Sequence, residues 1–105
     1  MRHKLIDLAK VIRTKNSGPF ILTIDIIFKD SYVYKRLKEI DYFSKVWWAQ
    51  VYGINLDDVI SVIYFDPVSA VKANIKRRVP SGSPGDTDVY GAQQHAPLLE
   101  VEIDV

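Results

Sequence analysis

The chain contains no cysteine, a single methionine and two histidines among its 105 residues. The absence of cysteine excludes disulfides, thiolate metal ligands and a cysteine nucleophile, and it does not place the chain in an oxidising compartment. No apolar run approaches the length needed to span a bilayer. The opening stretch MRHKLIDLAKVIRTK is charged throughout and lacks the apolar centre of a secretory signal, so the expected location is the cytoplasm. Excess charge is also missing. A formal net charge of +1 gives no electrostatic drive toward nucleic acid, and neither a nucleic-acid nor a membrane partner is expected.

What is present is ordinary globular material. Hydrophobic residues make up 48% of the chain, enough for one core in one domain, expected to span residues 1–105. Leu5, Leu8, Ala9 and Ile12 recur at helical spacing, which predicts an amphipathic helix over Lys4–Arg13, stopped by Asn16-Ser17-Gly18-Pro19. Phe20–Lys29 alternates strictly: Phe20, Leu22, Ile24, Ile26 and Phe28 form an apolar face, and Ile21, Thr23, Asp25, Ile27 and Lys29 form a mixed one. Asp30 or Ser31 is a fitting cap for a helix reaching about Ile40, and Ser44 for a second one ending at Gly53. One of the adjacent Trp47 and Trp48 is expected in the core, because neighbours on a helix point about 100° apart. Asn55 precedes a single turn with Asp57 and Asp58. Val59–Phe65 and Val71–Lys76 read as further strands, with Asp66-Pro67 between them, and Leu98–Val105 as a last one.

The order helix, strand, two helices, strand, strand, loop, strand predicts an α+β fold. The expectation is a four-stranded, mostly antiparallel, ferredoxin-like sheet with helices on one face and a long ordered loop before the last strand. In that arrangement Phe20–Phe28 is central. Its mixed face lies beside Lys72 and Lys76 on one side and Glu100 and Glu102 on the other, and Ile21 and Ile27 there are compatible with contact to another subunit.

The loop Pro80–Pro97, PSGSPGDTDVYGAQQHAP, is the stretch richest in chemistry. Connections of this length are uncommon in compact domains unless functional or disordered. Ser83-Pro84-Gly85-Asp86 fits a tight turn. Gly82, Gly85 and Gly91 would let backbone N–H groups approach a ligand, and Ser81, Ser83 and Thr87 add hydroxyls. No Gly-Lys-Ser/Thr follows, so this is not a phosphate loop. His95 is the titratable base of the loop, with Asp86 or Asp88 available to orient it. The spacing of Asp86, Asp88 and His95 matches no metal motif. The other reading is a surface loop whose Asp and Ser side chains satisfy its own turns.

The segments DLAKVIRTKNSGPF (7–20), TIDIIF (23–28), VIYFDP (62–67) and PSGSPGDTDVYGAQQHAPLLEVEI (80–103) resemble the domain of unknown function numbered forty-three eighty-seven. That family is the small companion of the acyclic terpene utilisation (AtuA-like) proteins, which are associated with breakdown of branched acids and their coenzyme A esters. The resemblance implies a small accessory subunit docked on a large AtuA-like partner. The candidate ligand-binding residues are Asn16, Ser17, Gly18, Ser81, Gly82, Ser83, Gly85, Asp86, Thr87, Gln93 and Gln94, for a carboxylate or acyl-CoA-type ligand. The family brings no assigned catalytic residue, and the cofactor, if there is one, is unknown. The alternatives are a stand-alone lyase or isomerase with His95 as base and Asp88 beside it, or a non-catalytic interaction module. A homo-oligomer is compatible with each.

Overall fold

A computed structural model describes residues 2–18, 20–76 and 96–105. The main sheet has four antiparallel strands in the order β2-β3-β5-β4: β2 (Ala9–Asn16), β3 (Ile21–Phe28), β5 (Ala70–Lys76) and β4 (Val59–Phe65). A separate two-stranded sheet joins β1 (Arg2–Lys4) to β6 (Glu102–Asp104). Helices α2 (Ser31–Glu39) and α3 (Lys45–Tyr52) connect β3 to β4, and a single turn, α1 (Leu5–Leu8), precedes β2.

β3 holds its expected place and central position. Leu22, Ile24, Ile26 and Phe28 are all buried and form the floor of the core. The two helices lie over this face, contributing Tyr34 and Leu37 from α2 and Trp48 and Ala49 from α3. Their ends follow local chemistry. The Asp30 carboxylate accepts from Tyr32 N–H at 2.8 Å, and Ser44 Oγ accepts from Trp47 N–H at 3.3 Å, each satisfying an amide left over at a helix start. Gly53 ends α3 with φ +64°, the left-handed conformation that costs other residues steric strain. Trp48 is fully buried while Trp47 is half-buried, as the 100° step requires. Tyr42 packs on Phe43, Phe43 on Trp47 and Trp47 on Trp48 edge to face at centroid distances of 4.8–5.0 Å, a geometry favoured by the ring quadrupoles, and Tyr42 and Trp47 lie tilted at 5.6 Å.

Two expectations are corrected. The helix over Lys4–Arg13 is one turn only, and Ala9–Asn16 is a strand paired with β3. The same residues also carry a period of two. Ile12 and Thr14 oppose Ile26 and Ile24 on the core face, while Val11, Arg13 and Lys15 oppose Ile27, Asp25 and Thr23 on the other. β-branched Val11, Ile12 and Thr14 suit a strand, and the otherwise unpaired edge of β3 supplies the partner. The last strand does not join the main sheet. The edge expected for it is held by β2, so Glu100 and Glu102 do not flank β3; Glu102 pairs with Lys4 in the small sheet instead. Leu98 and Ile103 of that segment are buried in the common core.

Candidate functional site

The face of the main sheet turned away from the helices is built in three rows across the strands. The register places Val11, Ile27, Ala70 and Phe65 in an apolar row, Arg13, Asp25, Lys72 and Ile63 in a charged row, and Lys15, Thr23, Asn74 and Ser61 in a polar row.

In the charged row Asp25 is only 8% exposed. A buried carboxylate is costly unless paired. Arg13 Nε donates to its Oδ2 at 3.2 Å from β2, and Lys72 Nζ lies 3.9 Å from its Oδ1 from β5. Both cations reach in from largely exposed positions, with 66% and 48% of their side chains open to solvent.

The polar row is a hydrogen-bonded relay. Ser17 and Thr23 share a short hydroxyl–hydroxyl bond, Thr23 Oγ1 donates to Asn74 Oδ1 at 2.6 Å, and Asn74 Nδ2 donates to Ser61 Oγ at 3.0 Å. Each hydroxyl and amide in the chain thus satisfies the next, which is what allows Thr23 to be 4% exposed.

Along the charged and apolar rows a groove of about 410 Å³ is lined by Arg13, Asp25 and Lys72 together with the apolar Ile27, Ile63, Phe65, Val68 and Ala70. The size suits a small ligand, and a mostly apolar lining with a few convergent polar groups is the usual make-up of a binding site. Among the described residues, four cations on this face, Arg13, Lys15, Lys72 and Lys76, stand against the one carboxylate of Asp25, so this part of the face is positive although the chain is nearly neutral.

A second, shallower cleft lies between α2 and the turn after β4, lined by Lys35, Lys38, Glu39, Asp66 and Pro67. Its carboxylate is already engaged: Lys38 Nζ donates to both oxygens of Asp66 at 2.8 and 2.9 Å, and Tyr34 Oη donates to Oδ1 at 2.7 Å. These bonds, Lys38 first, hold the Asp66 carboxyl below its ordinary range. Burial, followed by the bond to Asp66, pushes the Tyr34 hydroxyl well above its ordinary value. Among the described residues no group of three His, Asp or Glu side chains could hold a metal ion, and no helix is long and apolar enough to cross a membrane.

Of the sequence-predicted site residues, Ser17 enters the polar relay. Gly18 follows it with φ +146°, a conformation reserved for glycine, as the chain turns back into β3. Asn16 sits opposite Leu22, in register with the core face rather than the groove face. Ser81, Gly82, Ser83, Gly85, Asp86, Thr87, Asp88, Gln93, Gln94 and His95 lie outside the described residues. Arg13 falls inside the helix that the spacing of Leu5, Leu8 and Ile12 predicts, which hides it as a groove residue; the alternation Val11, Arg13, Lys15 is the signal that finds it.

Comparison with curated proteins and with solved structures gives no match. The family model of the domain of unknown function DUF4387 matches residues 5–102, and the chain belongs to that family.

Proposed function

We propose that this chain is a small accessory subunit that docks on a larger AtuA-like metabolic protein and helps form a site for a carboxylate-bearing or acyl-CoA-type ligand. The observation that carries the reading is the groove on the open sheet face, where Arg13 and Lys72 converge beside an apolar wall. One carboxylate, Asp25, cannot balance two cations. A ligand carboxylate seated over them would, while its hydrocarbon portion lies along Ile63, Phe65 and Val68. Asp25 serves to hold the two cations in place, and the Ser17–Thr23–Asn74–Ser61 relay keeps the neighbouring row rigid. In this reading the loop 80–97 contributes its glycine amides and hydroxyls to the same ligand.

The test has two parts. The chain should co-purify with its large partner, and deletion of Ser81–Gln94 should lower the partner's activity while the domain stays folded. Hexanoate titrated calorimetrically into the assembled pair should bind about tenfold or more weakly after Lys72→Gln, the loss expected for one charge-assisted hydrogen bond. Absence of any complex would overturn the accessory role. Unchanged hexanoate binding in a Lys72→Gln, Arg13→Gln double variant would overturn the site.

A further inference from the structure

The two edges of the main sheet differ in kind. β2 carries Lys10, Arg13 and Lys15. Each edge ladder has one bulge, between Ala9 and Val11 in β2 and between Val59 and Ser61 in β4, so the difference lies in charge, a device by which sheets keep an edge from pairing with another chain. β4 has no charge. It reads Val-Ile-Ser-Val-Ile-Tyr-Phe, and Ile60, Ile63 and Phe65 are 46%, 50% and 52% exposed. Val59 and Ser61–Phe65 pair with β5 on one side, Ile60 lying in the bulge, and among the described residues no backbone bond leaves the strand on the other. A long apolar strand with an open row of amides and carbonyls is a template for strand addition.

We propose that β4 pairs antiparallel with β4 of a second copy of this chain, about a two-fold axis near Val62, so that two four-stranded sheets become one. The choice of occupant follows from charge. A basic edge such as β2 would set lysine and arginine against Ile60, Ile63 and Phe65, whereas a second β4 presents an uncharged strand to an uncharged strand. Antiparallel pairing of a strand with itself is also self-complementary, as a two-fold interface requires. In this register Ser61 of each copy faces Ile63 of the other. The axis is perpendicular to the sheet, so both open faces stay on the same side. Ile63 and Phe65 form the outer wall of the groove described above, and Ser61 of the second copy would border it. The acids flanking β4 do not block the approach: Asp57 and Asp58 lie in the turn before the strand, and Asp66 after it is neutralised by Lys38. This inference is independent of the proposed accessory role.

Light scattering on the purified full chain, from micromolar to millimolar concentration, reads the outcome directly. The expected mass is that of two chains. Ile60→Lys, which places a lysine on the exposed edge as natural edges do, should give the mass of one chain with an unchanged circular dichroism spectrum. Val11→Lys on the opposite edge should leave two. The chain has no cysteine, so Val62→Cys provides a clean second measurement: mild oxidation should yield a covalent dimer. A one-chain mass for the unaltered protein at millimolar concentration would overturn the proposal, as would a mass that keeps growing with concentration or a folded Ile60→Lys variant that remains dimeric. If Ile60→Lys does not fold, failure of Val62→Cys to cross-link overturns it instead.

Discussion

The two faces of β3 are made by alternate residues of one strand, yet they are stabilised by different physics. Leu22, Ile24, Ile26 and Phe28 are buried under two helices and gain from the removal of apolar surface from water, an interaction without directional demands. Thr23 and Asp25 are nearly as buried, at 4% and 8% exposure, but among the described residues no helix covers them. They are closed over by their neighbours in the sheet, and each needs a specific partner: Asn74 and Ser17 for one, Arg13 and Lys72 for the other. The core face tolerates any well-filling apolar set. The open face works only in one register, because a one-residue slip would set Ile12 or Thr14 of β2, or Val71 or Ala73 of β5, against Asp25 in place of its cations.

The largest expected effects test this contrast at adjacent positions. Ile24→Ala should cost about 2–5 kcal/mol in denaturant unfolding, from lost burial and the cavity left behind. Asp25→Ala should cost less, about 1–2 kcal/mol, because Arg13 and Lys72 are mostly solvated and can return to water. An Asp25 variant as damaged as the Ile24 variant would mean that the open face carries as much of the fold as the core.

Thr23→Val comes next, with an expected loss of about 1–2 kcal/mol. The substitution keeps the volume and the β-branching but leaves the Asn74 carbonyl oxygen without its donor. Val at a core-face position would be harmless, so a neutral Thr23→Val would show that the relay adds nothing to stability.

The tyrosines extend the comparison to pH. Burial holds the hydroxyls of Tyr34, Tyr52 and Tyr64 protonated well above their ordinary value of about 10. Their folded-state values are raised, so the stability tied to their neutral forms is complete below pH of about 10 and declines as pH rises toward the folded-state values. Alkaline titration followed by tyrosinate absorbance should therefore show these three ionising only with unfolding; their free ionisation near pH 10 in the folded chain would contradict the packing.

The smallest effect concerns Asp66 on the exposed rim. Lys38→Ala should return its carboxyl toward the ordinary carboxylate range in a carbon-detected NMR titration, with little change in unfolding, since exposed ion pairs contribute little. In the unaltered chain its folded-state value is depressed, so whatever stability the pair adds is present above the ordinary carboxylate range and is lost as pH falls through the depressed value.

Local chemistry made much of the molecule legible. Asp30, Ser44 and Gly53 mark helix ends because capping bonds and left-handed backbone depend on residues a few positions apart. The alternation in 20–29, 59–65 and 71–76 marks strands because a pleat has one period whatever lies beside it. That Lys72 lies beside the mixed face of β3 followed from putting those strands side by side, whereas its pairing with Asp25 is a matter of register that the structure supplies. Arg13 was hidden. In the stretch from Leu5 to Lys15 the apolar residues satisfy a period of 3.6 and of two alike, so pattern alone cannot choose.

The sequence by itself determined which residues face the core along β3 and β5, where the two long helices begin and end, and that no cysteine chemistry takes part, because each of these depends on neighbours within a turn or a pleat; in β4 a bulge at Ile60 breaks the alternation, burying Val59 and exposing Ile60. Only the tertiary structure decided that Ala9–Asn16 is a strand and that the last strand pairs with Arg2–Lys4. Both turn on which segment reaches the open edge of β3, a competition between distant parts of the chain for one set of backbone hydrogen bonds. The groove exists because β2 won it: its Arg13 is the cation that meets Lys72 across Asp25.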